Sequence, residues 1–511
     1  MMRLSELISS IQIPVRTSGD VEVDISGLYY DSRLVRQGGL FFALKGAAAD
    51  GHLFIEAAVK SGAAAVVLED ASYAPADMPI VQVHDARLAM SRMAAAFFGY
   101  PTHEVPVIGI TGTNGKTTTT YLVESILNKA GVPAAVLGTI QYRFAETIIP
   151  SPHTTPESVD LQRTLRELVN LGARSVVMEV SSHALDQRRV DGCAFDIGVF
   201  TNLTRDHLDY HKEMDCYLES KQRLFTELLV ADAKKPKRHA VINIDDPYGS
   251  LIAGAAACPV ITYGLMSEAL VTARNVHFTT SGISGVLATP GGETAFHSRL
   301  LGRFNLYNIL AAVSVGVAMD LRLEVIRAGI EGHEKVAGRL ESVDNDRGIT
   351  VLVDYAHTGD ALENVLKTLQ EIASARVITV FGCGGNRDRG KRPIMGEIAG
   401  RYSDMTIITS DNPRREDPGV IIGEIRAGIV PLGIKEYTVE ELSPGFDKKG
   451  FIAIEARREA ICLAVRLARP GDIVLLAGKG HEDYQIIGTT KHHFDDREVA
   501  REAIQQLKSG A

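Results

Sequence analysis

The stretch VPVIGITGTNGKTT at residues 105–118 constrains this chain more than any other. A continuous apolar run is the pattern of a strand buried on both faces of a parallel sheet. Here the run ends in a glycine-rich turn, then Lys116 and Thr117, then a helix-forming segment that closes at Gly131. Glycines let backbone N–H groups approach phosphate oxygens, and a helix N-terminus presents the positive end of its dipole. In such a loop the lysine reaches the β- and γ-phosphates and the following hydroxyl suits Mg²⁺. The usual G-x-x-x-x-G-K-[ST] pattern has a glycine where this chain has Ile110, with Gly109 and Gly112 on either side. The loop is therefore a variant, but it still commits this region to strand, turn and helix.

The rest of the chain repeats that alternation. Apolar runs recur at residues 134–137, 175–180, 196–200 and 240–244, separated by helix-length stretches. Strand and helix in turn give a parallel sheet with helices on both faces. The glycine-rich stretch 279–292 reads as hairpins appended to that sheet, and FNLYNILAAVSVGVAMDL as one helix through Leu321. Near Gly338 the alternation restarts, with runs at 350–353, 377–381, 405–408 and 473–476 and the turns GCGGNRDRG and AGKGHED at strand ends. Shorter runs at 39–44 and 63–68, with a helix at 87–98, precede the first strong strand. A chain of 511 residues needs more than one core. The pattern predicts an α/β protein of three domains. Residues 1–104 form a small α/β domain, 105–337 a central ATPase domain on a P-loop-type parallel sheet, and 338–511 a Rossmann-like domain.

Bulk properties narrow the class. With 45% hydrophobic and 23% charged residues the composition is that of a globular soluble chain. A net charge of -9 argues against a chain-wide surface for nucleic acid or anionic membrane. Cys193, Cys216, Cys258, Cys383 and Cys462 are dispersed with no CxxC spacing, as in a reduced cytosolic protein. The start MMRLSELISSIQIPV lacks the basic and apolar regions of a secretory signal, and no segment approaches the ~20 apolar residues that span a bilayer. The expectation is a cytoplasmic enzyme with no nucleic-acid partner and no membrane insertion.

Several side chains stand out on residue chemistry. Glu179 follows the run 175–178 and should project from a strand end near the loop, where a hard oxygen donor suits Mg²⁺. Asp354 follows TVLV in the same way. Arg414, in DNPR, offers a planar fork matched to a carboxylate. Arg189 suits a carboxylate too, although its neighbour Arg188 illustrates the plain solvent-facing alternative. Lys221 lies in CYLESKQRLF, an amphipathic helix on which a lysine ordinarily faces water.

Taken in order, GTNGKTTT, MEVSSHAL, TNLTRDHLDYH, GRFNLYN and DYAHTGDALE resemble the Mur ligase family of peptidoglycan synthesis. The resemblance runs from Asp31-Ser32-Arg33 to Glu482, nearly the whole chain. It implies three domains, for the UDP end of the substrate, for ATP and for the incoming amino acid. The later motifs GCGGNRDRGKRP, SDNPRRE and AGKGHEDYQ are similar to members that add meso-2,6-diaminopimelate to UDP-N-acetylmuramoyl-L-alanyl-D-glutamate. Gly359, in HTGD, stands where the family more often has proline, a change in turn stiffness.

The resemblance also implies roles. Gly112, Thr113, Asn114, Gly115, Lys116, Thr117 and Thr118 would hold the ATP phosphates. Asn305, Arg339 and Asp354 would meet the adenine, phosphate and ribose regions. Mg²⁺ would be bound by Thr117, Glu179, His207 and a carbamylated Lys221, and the catalytic set would be Lys116, Glu179, His207 and Lys221. Tyr30 and Ser32 would meet the uridine end of the UDP substrate. His153, Thr154, Thr155, Ser181, Gln187 and Arg189 would hold its muramoyl-dipeptide. Arg387, Asp411, Asn412, Pro413, Arg414, Gly478 and Glu482 would bind diaminopimelate. The implied reaction activates the D-glutamate γ-carboxylate as an acyl phosphate, which the diaminopimelate amine then attacks. A monomer is expected. The alternatives are an L-lysine-adding homologue, which has no use for Arg414, and a folylpolyglutamate synthase-like ligase, which lacks the DNPR loop. A simple P-loop kinase or NTPase switch would leave the C-terminal motifs idle.

Overall fold

The computed structural model describes residues 1–46, 49–151, 153–206, 208–266 and 268–509. The backbone falls into two compact units, Met1–Val271 with Ala311–Ile326, and Thr272–Leu310 with Arg327–Ala511. Among the described residues no helix is long and apolar enough to cross a membrane.

The first unit is built on an eight-stranded sheet. Its strands lie in the order Thr147–Pro150, Gln141–Phe144, Ala134–Leu137, Ser175–Glu179, Val107–Thr111, Ile197–Phe200, His239–Asn243 and Val260–Tyr263. All but the first two run parallel, and those two fold back as an antiparallel hairpin. Val107–Thr111, Ser175–Glu179 and Ile197–Phe200 are buried along their whole length, which is why they read as unbroken apolar runs. Their register sets the site. Glu179 pairs opposite Ile110 and Phe200 opposite Thr111, so Glu179, Gly112 and Thr201 leave the sheet at one edge. Val107, Val176, Met178, Leu161, Leu165, Phe195, Phe200 and Phe225 share the core.

A second sheet of this unit has five strands, ordered Arg16–Ser18, Ile80–Gln82, Ala63–Leu68, Gly39–Phe42 and Gly27–Tyr29. The helix Ala86–Phe97 starts at Asp85, whose carboxylate accepts from Leu88 N. Its apolar face joins Leu4, Leu7, Leu40, Phe42 and Val67 in one cluster.

The second unit carries a seven-stranded sheet ordered Glu341–Val343, Thr350–Asp354, Ile473–Ala477, Val377–Phe381, Met405–Ile408, Gly450–Ala453 and Lys435–Glu436. Glu341–Val343 is antiparallel and the remaining pairs are parallel. The last long strand, Ile473–Ala477, inserts between Thr350–Asp354 and Val377–Phe381. In an open α/β sheet such a reversal of strand order opens a crevice at the carboxyl ends.

Two expectations change. The glycine-rich hairpins do form, as Thr272–Thr279, Gly282–Thr289 and Gly292–Ser298, but they make a separate three-stranded sheet and do not extend the eight-stranded one. After Tyr263 the Asp245 carboxylate accepts from Leu265 N and Met266 N and turns the chain away from the strand line. The helix expected through Leu321 spans Arg303–Ala318. Asp320 takes a left-handed φ of 55°, and Leu321 N bonds back to Gly316 O at 3.0 Å, which closes the helix.

Candidate active site

The strand Val107–Thr111 delivers the chain to Gly112, whose φ is 146°. A Cβ there would lie 1.9 Å from Thr201 Oγ1, so both the conformation and the space demand glycine. The segment after the neighbouring strand clamps the loop. Thr113 N donates to Asn202 O at 2.8 Å and Asn114 N to Asn202 Oδ1 at 2.9 Å. Thr201 Oγ1 and Asn202 Nδ2 donate to Asn114 O at 2.6 and 3.1 Å. Gly115, with φ 88°, then starts the helix Lys116–Lys129, and Thr117 and Thr118 lie buried in its first turn. The Lys116 ammonium folds back onto Gly112 O at 2.9 Å and Thr113 O at 2.8 Å. Backbone N–H groups, a helix N-terminus and an ammonium thus converge where an anion would sit.

Lys221 does not face water. It lies on the helix Met214–Arg223, is 1% exposed, and donates to Gly112 O at 2.9 Å, the carbonyl that Lys116 also uses. The Tyr217 ring lies 4.5 Å from its Nζ. Burial, then the charge of Lys116, pushes the Lys221 amine well below its ordinary pKa. Glu179, at the end of Ser175–Glu179 and 1% exposed, accepts from Thr139 N at 2.9 Å and Thr139 Oγ1 at 3.0 Å. Among the described residues it has no cationic partner, and a buried carboxylate without one is costly. That environment fits a divalent cation. His207 lies outside the described residues.

The expected dipeptide residues form one network. Thr155 Oγ1 donates to Glu179 O at 2.8 Å and accepts from Ser181 N at 3.1 Å. Ser181 caps the short helix Ser182–Asp186. Thr154 Oγ1 contacts Thr139 Oγ1 at 3.0 Å, while His153 is exposed and contributes its carbonyl to Ser151 Oγ at 2.9 Å. Arg189 holds Thr155 O at 2.9 Å, Gln187 Oε1 at 2.7 Å and the Glu157 carboxylate at 3.1 Å. Arg188 turns the other way, to Asp85 at 2.7 Å and Asp191 at 3.0 Å, so the two arginines are not equivalent. At the five-stranded sheet Ser32 sits in a turn capped by Asp31, and the Tyr30 hydroxyl is engaged by Asp160.

In the second unit Asp354 ends its strand and accepts from Leu340 N at 2.7 Å and Ala356 N at 2.8 Å. Burial raises its pKa, against the pull of Arg339. The Arg339 guanidinium lies 4.7 Å from the Tyr355 ring centre. Asn305 is buried, donates to Leu301 O at 2.9 Å and accepts from Asn308 Nδ2 at 2.9 Å.

Three loops after the adjacent strands Ile473–Ala477, Val377–Phe381 and Met405–Ile408 meet at one edge. Gly385 N donates to Asn412 O at 2.9 Å, and a Cβ on Gly385 would strike Pro413 O at 1.9 Å. Asn412 links Glu482 at 2.8 Å to the Ile486 N–H at 2.9 Å. Arg414, left-handed at φ 53°, is held by backbone bonds to Ile486 and Gly488, and its guanidinium rests on Gly385 O at 3.0 Å. Gly478 N donates to Asp354 O at 3.0 Å, tying the loop that carries Glu482 to the neighbouring strand end. Burial and the Asp411 carboxylate raise the Glu482 pKa. Arg387 is exposed and reaches Asn386 O at 3.1 Å, and its Cγ lies beside Gly384 together with the Arg414 guanidinium and Asn412 O.

Other residues matter that their letters did not reveal. Buried Arg392 joins Glu416 at 2.9 Å and Glu424 at 2.7 Å and donates to Gly384 O at 3.2 Å, stapling two of the loops. Lys479 is enclosed beside Asp411 and Glu482. Thr139 and Asn202 orient Glu179 and the phosphate loop. The glycine-rich context of Lys479 was a usable signal; nothing local marks Thr139.

Residues 24–98 match the family model described as the Mur ligase family catalytic domain. Residues 110–316 match the Mur ligase middle domain, and residues 338–480 the Mur ligase glutamate ligase domain. The chain is 67% identical over 508 residues to the UDP-N-acetylmuramoyl-L-alanyl-D-glutamate–2,6-diaminopimelate ligase of Geobacter metallireducens, covering 99% of each chain. Its identity to the protein of the same description from Geobacter sulfurreducens is 64% over 509 residues, 100% of each. A solved structure of a UDP-N-acetylmuramoyl-L-alanyl-D-glutamate–2,6-diaminopimelate ligase matches with a TM-score of 0.71 at 33% identity, over 99% of both chains.

Proposed function

The chain belongs to the Mur ligase family, and from that membership we propose that it joins 2,6-diaminopimelate to the D-glutamate γ-carboxylate of UDP-N-acetylmuramoyl-L-alanyl-D-glutamate, with ATP as the energy source. It is an amide-forming ligase of peptidoglycan precursor synthesis. Identity of 67% across the whole length of a ligase so described carries the reading. The meso stereochemistry, a monomeric state and a cytoplasmic location belong to the same proposal. So does a division of labour among residues 1–104, 105–337 and 338–511 for the UDP substrate, ATP and the amino acid.

The γ-carboxylate oxygen attacks the γ-phosphorus, the bond to the β-phosphate oxygen breaks, and ADP leaves an acyl phosphate behind. The diaminopimelate amine then attacks the acyl carbon, phosphate departs with its bridging oxygen, and the amine loses a proton. Phosphoryl transfer asks a protein chiefly for positioning and charge stabilisation. The 112–118 loop supplies N–H donors, and Lys116 needs only to swing from the carbonyls of Gly112 and Thr113 to meet phosphate oxygens. Arg189 would orient the dipeptide carboxylates, with Gln187 and Thr155 fixing its fork. Thr117, Glu179 and Lys221 as its carbamate, together with His207, would hold Mg²⁺. When bound, that ion neutralises charge on the β- and γ-phosphates. The Lys221 amine is buried beside the phosphate loop, and its carbamate would replace a hydrogen-bond donor with oxygen ligands.

At the amino-acid pocket Arg414 would take the distal carboxylate of diaminopimelate, and Asp411 with Glu482 its distal ammonium. L-Lysine has no distal carboxylate to offer Arg414. Phosphate release from ATP by the purified protein should require both the UDP-linked dipeptide and diaminopimelate. Release driven by a folate, or without an acceptor, would overturn the reading.

A further inference from the structure

Lys479 takes no part in the steps above, yet its side chain is fully buried. Its Nζ lies 3.4 Å from Glu482 Oε2 and 3.7 Å from Asp411 Oδ1, and it donates to Tyr484 O. Two carboxylates therefore share one cation. The nearby buried Arg457 adds no charge to the balance, since Asp496 matches it at 2.6 Å. Asp411 Oδ1 has no hydrogen-bond partner, and burial together with the Asp411 charge raises the Glu482 pKa, as expected of acids only half compensated. The Arg414 guanidinium stands apart from this acidic pair, held on Gly385 O. Two carboxylates on one ammonium make an acidic side with one excess negative charge, and a guanidinium stands apart from it. An ammonium and a carboxylate on one carbon present the complementary pair.

We infer that Lys479 is a specificity-determining residue that acts through Asp411 and Glu482: by matching one of these two carboxylates it leaves the excess charge that a single ammonium satisfies, and so fits the pocket to a zwitterionic centre over a purely cationic one. The inference rests on the diaminopimelate reading above. Removing the Lys479 charge makes the acidic side more negative and favours a distal end that is only an ammonium, as in L-lysine. Removing an acid does the reverse. A merely structural lysine would not make the direction of selectivity follow the sign of the charge change.

The experiment compares kcat/KM for meso-diaminopimelate and for L-lysine, with ATP and the UDP-linked dipeptide, and records the KM for ATP. Wild-type protein that fails to use diaminopimelate overturns the functional reading itself, before any variant is compared. With wild-type turnover established, Lys479→Met should lower the diaminopimelate-to-lysine ratio about tenfold or more, with the KM for ATP within about twofold. Asp411→Asn should raise that ratio, and Lys479→Met combined with Glu482→Gln should return it toward wild type. An equal loss for both amino acids in Lys479→Met, or a double variant that stays shifted, contradicts the inference. Should Lys479→Met not fold, Asp411→Asn alone decides: a raised ratio supports the inference, and an unchanged or lowered one overturns it.

Discussion

At the scale of single residues, burial decides what each charge does. Lys221 reads as an ordinary helix-surface lysine, yet the fold turns it inward onto Gly112 O. Lys221→Ala should lose most ligase activity, and added bicarbonate should not restore it; a wild-type rate would remove Lys221 from the site. For Arg414→Ala, losing the charged hydrogen bonding of a half-buried guanidinium costs on the order of 1.5–3 kcal/mol. The KM for diaminopimelate should therefore rise far more than the KM for ATP, and equal increases in steady-state assays would contradict the assignment. His481 offers a pH test. Burial, then the charges of Arg339 and Arg497, lowers its imidazole from 6.5 to about 4. The unfolded chain binds the proton more readily, so stability falls as pH drops from 6.5 toward 4 and levels off below. The loss is roughly 3 kcal/mol, and His481→Gln should flatten that part of a denaturation-versus-pH curve. An unchanged slope would place the acid sensitivity elsewhere.

The elements were legible where one physical pattern dominates. Runs buried on both faces, such as 134–137, 377–381 and 405–408, coincide with observed strands because nothing but a central parallel strand uses them. Gly450–Ala453 escaped notice because the glycine that opens it and the charged EARRE that follows give no strand-to-turn signal. The separate three-stranded sheet escaped because pairing partners are not written in a hairpin's own letters. The strand–turn–helix at 107–129 is where local and global requirements agree, and Gly112 is its weakest point. Gly112→Ala combines a φ that L residues avoid with an overlap against Thr201. Such strain costs about 1–3 kcal/mol before any clash. ATP turnover should fall by about a hundredfold or more while far-ultraviolet circular dichroism stays native-like. Retained turnover would mean that the loop tolerates a different path.

For the whole molecule, the candidate residues divide between two compact units, the phosphate loop with Glu179 and Lys221 in one and the amino-acid pocket in the other. The motifs in sequence named most of these residues, while the partners that orient them, Thr139, Asn202, Arg392 and Lys479, became visible only in three dimensions. Those partners act by hydrogen bonds and charge balance, which leave no periodic trace. Ligand binding should register on stability: a nonhydrolysable ATP analogue at about a hundredfold its Kd should add about 2.7 kcal/mol to unfolding. A melting temperature that ignores the analogue would argue against the nucleotide site. The central claim is that ATP activates the substrate carboxylate for capture by diaminopimelate. The most direct measurement gives the protein UDP-linked dipeptide carrying heavy oxygen in its D-glutamate γ-carboxylate, with ATP and diaminopimelate, and follows the label by mass spectrometry. The account predicts that heavy oxygen appears in the released phosphate in step with the new amide. Phosphate released without label while the amide forms would contradict it.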